Sequence, residues 1–178
     1  MQTSPGQAVS TYHSPRLVAV STSNVPRAIR IPAIGVASSD VAPVGRNSDG
    51  TLAVPPLNKV GQLGWYKASP IPGDAGPSVV VAHIAQKGKA GLFARLDQLQ
   101  PGDTVAIDRA DGLTAVFRVT RNEQAPKTAF PTESVYGDTP DPELRLISCG
   151  GRFSEAHRGY LDQVLVYATL ISLAPTVS

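Results

Sequence analysis

A single cysteine, Cys149, stands out among the 178 residues of this sequence because of what surrounds it. It ends an apolar run, Leu144–Cys149, and two glycines follow it directly. A lone thiol cannot close an intramolecular disulfide, so it packs, forms an intermolecular bridge or acts as a nucleophile. The glycines leave the sulfur little steric cover, and Arg152, His157 and Arg158 lie close by in sequence. This setting favours nucleophilic chemistry, and a cysteine packed in the core is the alternative.

A histidine, His83, ends a second apolar run, Ser78–His83. Taken alone, it fits a hydrogen-bonded residue at a strand end as well as a catalytic one. A cysteine nucleophile needs such a partner, because a thiol with a pKa of about 8.5 supplies little thiolate at neutral pH. A nearby imidazolium favours the charged form of the thiol. We therefore interpret Cys149 and His83 as a nucleophile and its acid–base partner.

Acyl transfer to a cysteine also needs a hydrogen-bond donor for the negative charge that develops on the attacked carbonyl oxygen. Arg158 follows Cys149 by nine residues and precedes the strand-like run Leu161–Leu170. If the two strands pair antiparallel, the chain returns Arg158 towards the end of the cysteine strand. Arg152 is the competing candidate, but a loop arginine is commonly a solvated surface charge. The sequence favours Arg158 as the oxyanion donor.

Several short segments occur in an order that is typical of one protein family. They are Ile29–Gly35, Gly64–Tyr66, Pro72–Gly73, the strand into His83, Gly91–Leu96, Pro101–Asp103, Leu144–Gly151 and Tyr160–Tyr167. Together they resemble the sortase family, and most closely the class F sortases of actinobacteria, over about residues 27 to 172.

Two positions depart from the family pattern. The cysteine is usually preceded by threonine, and here Ser148 keeps the hydroxyl but loses a methyl group. The histidine is usually preceded by glycine and often followed closely by an acidic residue, whereas Ala82 precedes it here and no acidic residue follows it directly. Carried over residue by residue, the resemblance implies His83, Cys149 and Arg158 as the catalytic trio.

The activity implied by the resemblance is cysteine transpeptidation. A Leu-Pro-x-Thr-Gly-type sorting signal of a surface protein would be cleaved through a thioester, and the acyl group would pass to an amine of a cell-wall precursor. The resemblance also implies a Gram-positive cell and an enzyme held by a membrane anchor at the extracellular face of the membrane, with this chain beginning after the anchor. A cysteine peptidase that hydrolyses the same peptides and a non-catalytic β-barrel binding module are the alternatives.

Composition favours one compact domain and argues against several functional classes. With 42% apolar residues the chain can bury a sizeable core. A net charge of +2 with scattered lysines and arginines gives no basic stripe for nucleic acid. One cysteine and three dispersed histidines lack metal-ligand spacing, and phosphate-binding loops are missing from the sequence, so neither a metal nor a cofactor is expected. No apolar run reaches the roughly eighteen residues of a membrane span.

Short apolar segments separated by 16 glycines and 16 prolines predict an all-β barrel or sandwich. With the resemblance, the expectation is an eight-stranded sortase-like β-barrel with short helices and long loops. Residues 1–24 are predicted to form a flexible leader, and 25–178 the catalytic domain. The predicted strands are Ala28–Ile31, Asp40–Val44, Thr51–Val54, Ser78–His83, Thr104–Ile107, Leu113–Thr120, Glu143–Cys149 and Gln163–Ile171.

Helix is predicted to be scarce. Apolar spacing indicates a short helix over Leu92–Leu99, which would brace the loop after the histidine, and one further turn within Asn58–Lys67. Asn122–Pro142 is predicted to be a long loop, which in a compact domain is commonly functional or disordered. It either shapes the sorting-signal groove, as the resemblance implies, or is pinned onto the barrel by its aromatic residues. The candidate groove residues are Phe130, Pro131, Val135 and Tyr136.

Overall fold

The computed structural model describes residues 24–86, 88–156 and 159–178 of the protein. Side chains are described for these residues except 86, 149–153, 159 and 160. The predicted leader, residues 1–24, therefore lies outside the described residues except for Asn24, as do the whole of Arg158 and the side chains of Cys149 and Arg152. In the described part of the chain, no helix has the length and apolar character needed to cross a membrane.

The fold is mainly β, which confirms the predicted class. One α-helix, α1 (Thr132–Tyr136), and three single turns of 3-10 helix at Pro32–Ile34, Leu96–Gln98 and Lys127–Ala129 complete the described secondary structure. The strands are β1 (Pro26–Ile31), β2 (Val36–Ser38), β3 (Val41–Val44), β4 (Leu63–Tyr66), β5 (Gly76–Val81), β6 (Ala85–Gln86), β7 (Lys89–Ala90), β8 (Thr104–Arg109), β9 (Leu113–Pro126), β10 (Pro142–Ser154) and β11 (Gly159–Pro175).

Over the described ranges, nine strands form one sheet that curls into a nearly closed barrel. Their order is β2-β1-β8-β9-β11-β10-β5-β4-β3, and β6 and β7 form a separate hairpin. Most neighbours are antiparallel, but β5 runs parallel to β10, and β3 runs parallel to β4. The predicted count of eight strands is therefore slightly wrong, because β2 and β4 are too short to give a clear alternation of apolar and polar residues.

Two local predictions in the segment before β5 are corrected by the structure. The expected helical turn in Asn58–Lys67 is replaced by β4, where Leu63 and Trp65 are buried between neighbouring strands. The segment Thr51–Val54 forms only an isolated bridge, from Leu52 to Arg46. Short apolar runs of this kind occur in buried helices and in buried strands alike, so the spacing of apolar residues could not distinguish the two structures.

The predicted helix over Leu92–Leu99 is reduced to the 3-10 turn Leu96–Gln98. Leu96 and Leu99 are nevertheless buried, so the spacing identified the packed face but not the helix length. The predicted loop Asn122–Pro142 begins as strand, because β9 continues to Pro126.

Two apolar clusters lie on opposite faces of the central strands. Side chains alternate between faces along a strand, and Val80 packs into the barrel interior while Val79 and Val81 point to the other face. The predicted face of β9 is confirmed, since Ala115, Phe117 and Val119 are buried. The second cluster, here called the outer cluster, comprises Val79, Val81, Ala125, Val135, Ile147, Leu165 and Tyr167.

Replacing Leu146 by alanine tests the barrel interior. Leu146 is fully buried between neighbouring strands, so the truncation should lower the free energy of unfolding by about 2–5 kcal/mol. Leu57→Ala is the matched control, because Leu57 is 62% exposed and its truncation should change stability by less than about 0.5 kcal/mol. Denaturant unfolding measures both, and equal losses would contradict the assignment of the core.

Candidate functional site

The pairing of β5 with β10 brings two of the predicted site residues to the same level of the sheet. Val81 is paired with Ile147 in parallel register, and the Ala82 amide donates to the Ile147 carbonyl at 3.3 Å. His83 and Cys149 each follow that pair by two residues, or about 6.6 Å of extended chain. The pairing thus joins the two segments two residues before each candidate, although His83 and Cys149 lie far apart in sequence.

Cys149 lies within a strand rather than at its end. The predicted strand Glu143–Cys149 continues as β10 to Ser154, and Cys149 pairs with Gln163 on β11. The antiparallel return predicted for these two strands is confirmed, with Gly159 opposite Ser154. Because Arg158 lies outside the described residues, its proximity to Cys149 stays a prediction.

The half-buried imidazole of His83 has a backbone partner that the sequence did not indicate. Its Nε2 lies 2.6 Å from the carbonyl oxygen of Pro55. A carbonyl oxygen only accepts hydrogen bonds, so Nε2 carries the hydrogen and donates it. The Pro55 ring also packs against Gly64, where a Cβ would lie 3.0 Å from methyl groups of Val44 and Val81 and 3.3 Å from the Pro55 ring. A contact made by a carbonyl leaves no signature in residue type, which is why it was missed.

The backbone of His83 is held by the segment that follows it. After the hairpin of β6 and β7 the chain turns back, and the Phe93 amide donates to the His83 carbonyl at 3.1 Å. The Gly91 amide donates to the Ile84 carbonyl at 2.7 Å. A Cβ built on Gly91 would lie only 2.1 Å from the His83 carbonyl oxygen. Glycine is thus required at position 91 for this close approach.

Gly91→Ala should therefore displace the backbone of His83. Because the obstructing atoms belong to the main chain and cannot rotate away, we expect a loss of about 1–3 kcal/mol in the free energy of unfolding. The His83 ring resonances in NMR spectra should shift as its contact with Pro55 is disturbed. Gly61→Ala is the matched control, since a Cβ there meets no atom within 4 Å. Similar effects of the two substitutions would refute the steric argument.

A cavity of about 490 Å³ opens over the outer cluster beside the level of His83 and Cys149. Val81 and Ile147 form part of its floor, and Gln163, the backbone partner of Cys149, lines the same cavity. One wall is formed by Leu52 and Val54, which precede Pro55. This cavity, the groove, is thus continuous with the strand positions that carry the candidate site.

The opposite wall of the groove comes from the segment between β9 and β10. Phe130 and Tyr136, two of the four candidate groove residues, line the cavity. Val135 is fully buried beneath it in the outer cluster, and Pro131 is outside the described lining. Burial raises the pKa of Tyr136 above its usual value, so this phenol is neutral at physiological pH.

Arg145 fastens this wall to the sheet. Its Nε donates to the Ser134 carbonyl in α1 at 3.2 Å, and its Nη2 lies 2.6 Å from a carboxylate oxygen of Glu143. The guanidinium carbon lies 4.7 Å from the centre of the Tyr167 ring. Because the Arg145 side chain is only 6% exposed, solvent competes little with these contacts.

Arg145→Ala should release α1 as well as destabilise the fold. Loss of hydrogen bonds from a buried charged group should lower the free energy of unfolding by about 1.5–3 kcal/mol. Amide hydrogen exchange across Thr132–Tyr136 should accelerate more than in the neighbouring strands. Arg118→Ala, at an exposed arginine of β9, provides the control. Unchanged exchange in α1 would show that Arg145 does not hold this wall.

No metal centre accompanies the groove in the described ranges, where three or more histidine, cysteine, aspartate or glutamate side chains are nowhere grouped to hold an ion. The described site thus consists of an imidazole fixed by a carbonyl and a cysteine backbone at the same level. An apolar groove leads away from both.

Comparison with known proteins identifies similar sequences and folds. A family model described as a sortase domain matches residues 29–171. The fold is similar to Listeria monocytogenes sortase A, with a TM-score of 0.63 and 17% identity over 88% of this chain and 92% of that chain. It is also similar to Streptococcus pneumoniae sortase C, with a TM-score of 0.64 and 19% identity over 85% and 69% of the two chains. No curated protein matches the sequence at a significant level.

Proposed function

The chain belongs to the sortase family, and from this premise we propose that it is a cysteine transpeptidase of the class F type that acts on a Leu-Pro-x-Thr-Gly-type sorting signal. Sortases in general are cysteine transpeptidases that act at the cell surface. The observation that supports the proposal is the parallel register of β5 and β10, whose last pair, Val81 with Ile147, lies two residues before both His83 and Cys149.

The proposed reaction begins at Cys149. Its thiolate attacks a backbone carbonyl of the signal, and Arg158 donates hydrogen bonds to the developing oxyanion. The carbon–nitrogen bond breaks as the new carbon–sulfur bond is retained, and protonated His83 gives its proton to the departing amine. An acceptor amine then attacks the thioester, His83 takes the proton from that amine, and the thiolate leaves.

The contact between His83 and Pro55 supports different roles for the two ring nitrogens of the imidazole. Since Nε2 donates to the Pro55 carbonyl, Nδ1 is the nitrogen available for proton transfer. The carbonyl fixes the plane of the ring in the way that a carboxylate does in many acid–base pairs. This contact takes the place of the acidic residue that the sequence lacks next to His83.

The groove suits the acyl half of the substrate. During the thioester stage the leaving amine has departed, whereas the residues before the scissile bond stay attached to the enzyme. A site that holds the intermediate must therefore bind the segment N-terminal to that bond. The exposed apolar surface of Leu52, Val54 and Phe130 in the groove walls fits the leucine and proline of the signal through burial of apolar surface.

The proposed setting is the outer face of a Gram-positive cell membrane. The donor is a surface protein bearing the signal, and the acceptor is an amine of a cell-wall precursor. A membrane anchor N-terminal to the domain, connected through the leader of residues 1–24, would hold the enzyme near both partners.

Incubation with a Leu-Pro-x-Thr-Gly peptide and an amine tests the proposal. We expect a ligated product, and Cys149→Ala and His83→Ala should abolish or nearly abolish its formation. Arg158→Ala should lower the rate by about 10²–10³, the usual effect of removing one oxyanion donor. Arg152→Ala is the matched control and should retain most of the rate; the reverse order of the two arginine variants would assign the oxyanion to Arg152.

Two alternatives give different results in the same assay. A cysteine peptidase would yield cleaved peptide without ligation, because water would replace the amine as acceptor. A non-catalytic binding module would leave the peptide intact, and Cys149 would react with an alkylating reagent no faster than free cysteine.

A further inference from the structure

The end of the groove remote from His83 carries a cation fixed between two aromatic rings. Arg46 donates from Nε to the Tyr66 hydroxyl at 2.7 Å. Its guanidinium carbon lies 5.4 Å from the centre of the Tyr66 ring and 5.5 Å from that of Tyr136. The two rings meet edge to face at 6.0 Å. Contacts of this kind restrict a long side chain and leave its charge in place.

The charge of Arg46 is not neutralised within the described part of the chain. No carboxylate there lies within ion-pairing distance of it, and its two terminal nitrogens make no hydrogen bond to a described group. Asp138 lines a smaller adjoining cavity of about 180 Å³ together with Arg46, but the two do not form an ion pair. The exposed side of the guanidinium is thus free to form a bidentate pair with an incoming carboxylate.

The position of Arg46 corresponds to the N-terminal side of a bound signal. Gly64 pairs with Val81, so Tyr66 lies at the level of Val79, four residues before His83 along β5. Four extended residues span about 13 Å, and an extended peptide advances by the same rise per residue. The guanidinium therefore lies near peptide residues roughly four to six positions before the attacked carbonyl.

The charged side chains in the described lining of the groove are all positive. Among its described lining residues, Arg46 and Lys127 are cationic and none carries a carboxylate. Lys127 lies at the opposite end, since the preceding Pro126 pairs with Asp162, next to the partner of Cys149. The two cations are thus separated along the path of a bound peptide.

We propose that Arg46 is a specificity-determining residue that binds an acidic side chain of the donor surface protein, about four to six residues before the scissile bond. This assignment rests on the proposed transpeptidase function, because it takes the donor peptide as the occupant of the groove. The anchoring tyrosines orient the guanidinium towards the groove, and the peptide carboxylate supplies the charge that the groove lacks.

Matched peptides test the assignment. A glutamate is placed in turn at each position that precedes the Leu-Pro-x-Thr-Gly motif of a sorting-signal peptide, and kcat/KM is compared with that of the corresponding glutamine peptide. At one of the positions four to six residues upstream, glutamate should be preferred by about three- to tenfold, and the preference should shrink as salt is raised. In the Arg46→Gln variant, the ratio of kcat/KM for the glutamate peptide to that for the glutamine peptide should fall to about one.

Control variants separate Arg46 from other cations. Arg118→Gln, which removes an exposed arginine on β9, should leave the ratio unchanged. Lys127→Gln should also leave the glutamate-to-glutamine ratio of kcat/KM unchanged. If Lys127→Gln abolishes the preference for glutamate and Arg46→Gln keeps it, the assignment to Arg46 is overturned. Arg46→Glu should invert the selectivity, so that a lysine peptide is used faster than a glutamate peptide. Thermal unfolding confirms that each variant is folded.

A direct measurement of peptide affinity tests the role of Arg46 without requiring catalysis. Labelled glutamate and glutamine peptides are titrated into Cys149→Ala and into its double variant with Arg46→Gln, and fluorescence anisotropy reports the affinity. Ligation of both peptides at equal rates overturns the role of Arg46 and leaves the transpeptidase function standing. Tighter binding of the glutamate peptide through Arg46 without ligation by the intact enzyme supports the carboxylate site and overturns the function. Equal binding or no binding of the two peptides, without ligation, overturns both.

Discussion

The parallel pairing of β5 with β10 is the constraint on which the rest of the site depends. Parallel strands need a long crossover connection, and here β8 and β9 are formed between them. Because β10 pairs with β11 on its other side, its position is fixed from both edges. A slip of one residue would turn every side chain of β5 to the wrong face. Val79, Val80 and Val81 are identical and buried on both faces, so the valines do not select the register. The buried Ser78 hydroxyl, which donates to the Pro70 carbonyl at 2.7 Å, marks the position of β5 instead.

The residues of β5 and β10 that stabilise the sheet also lie beneath the groove. Val81 and Ile147 pack within the outer cluster and also form part of the groove floor. Their contacts therefore stabilise the sheet beneath the groove, while the more exposed Leu52 and Val54 supply apolar surface in its wall. The wall that contains α1 is not part of the sheet. The hydrogen bond from Arg145 to the Ser134 carbonyl attaches it to β10, so the groove has a floor of paired strands and one wall held by side-chain contacts.

The sequence predicted those features that arise from strong local patterns. The alternation around Phe117 and the apolar runs before His83 and Cys149 gave strands where the structure has them. It did not predict β4 around Trp65, because a short strand buried on both faces has no polar alternation. The family resemblance, and not residue type alone, suggested Phe130 and Tyr136 as groove candidates, and both line the cavity. The Pro55 carbonyl and the cation of Arg46 could not be found in this way, since both depend on contacts between distant segments.

The loop before β4 connects the imidazole to the groove. Pro55 accepts the hydrogen bond of His83, while Leu52 and Val54 of the same short segment line the cavity. A neutral carbonyl orients an imidazole but stabilises its charged form less than a carboxylate would. Under the proposed function, a peptide that packs against Leu52 and Val54 would therefore contact the same segment that orients the His83 ring.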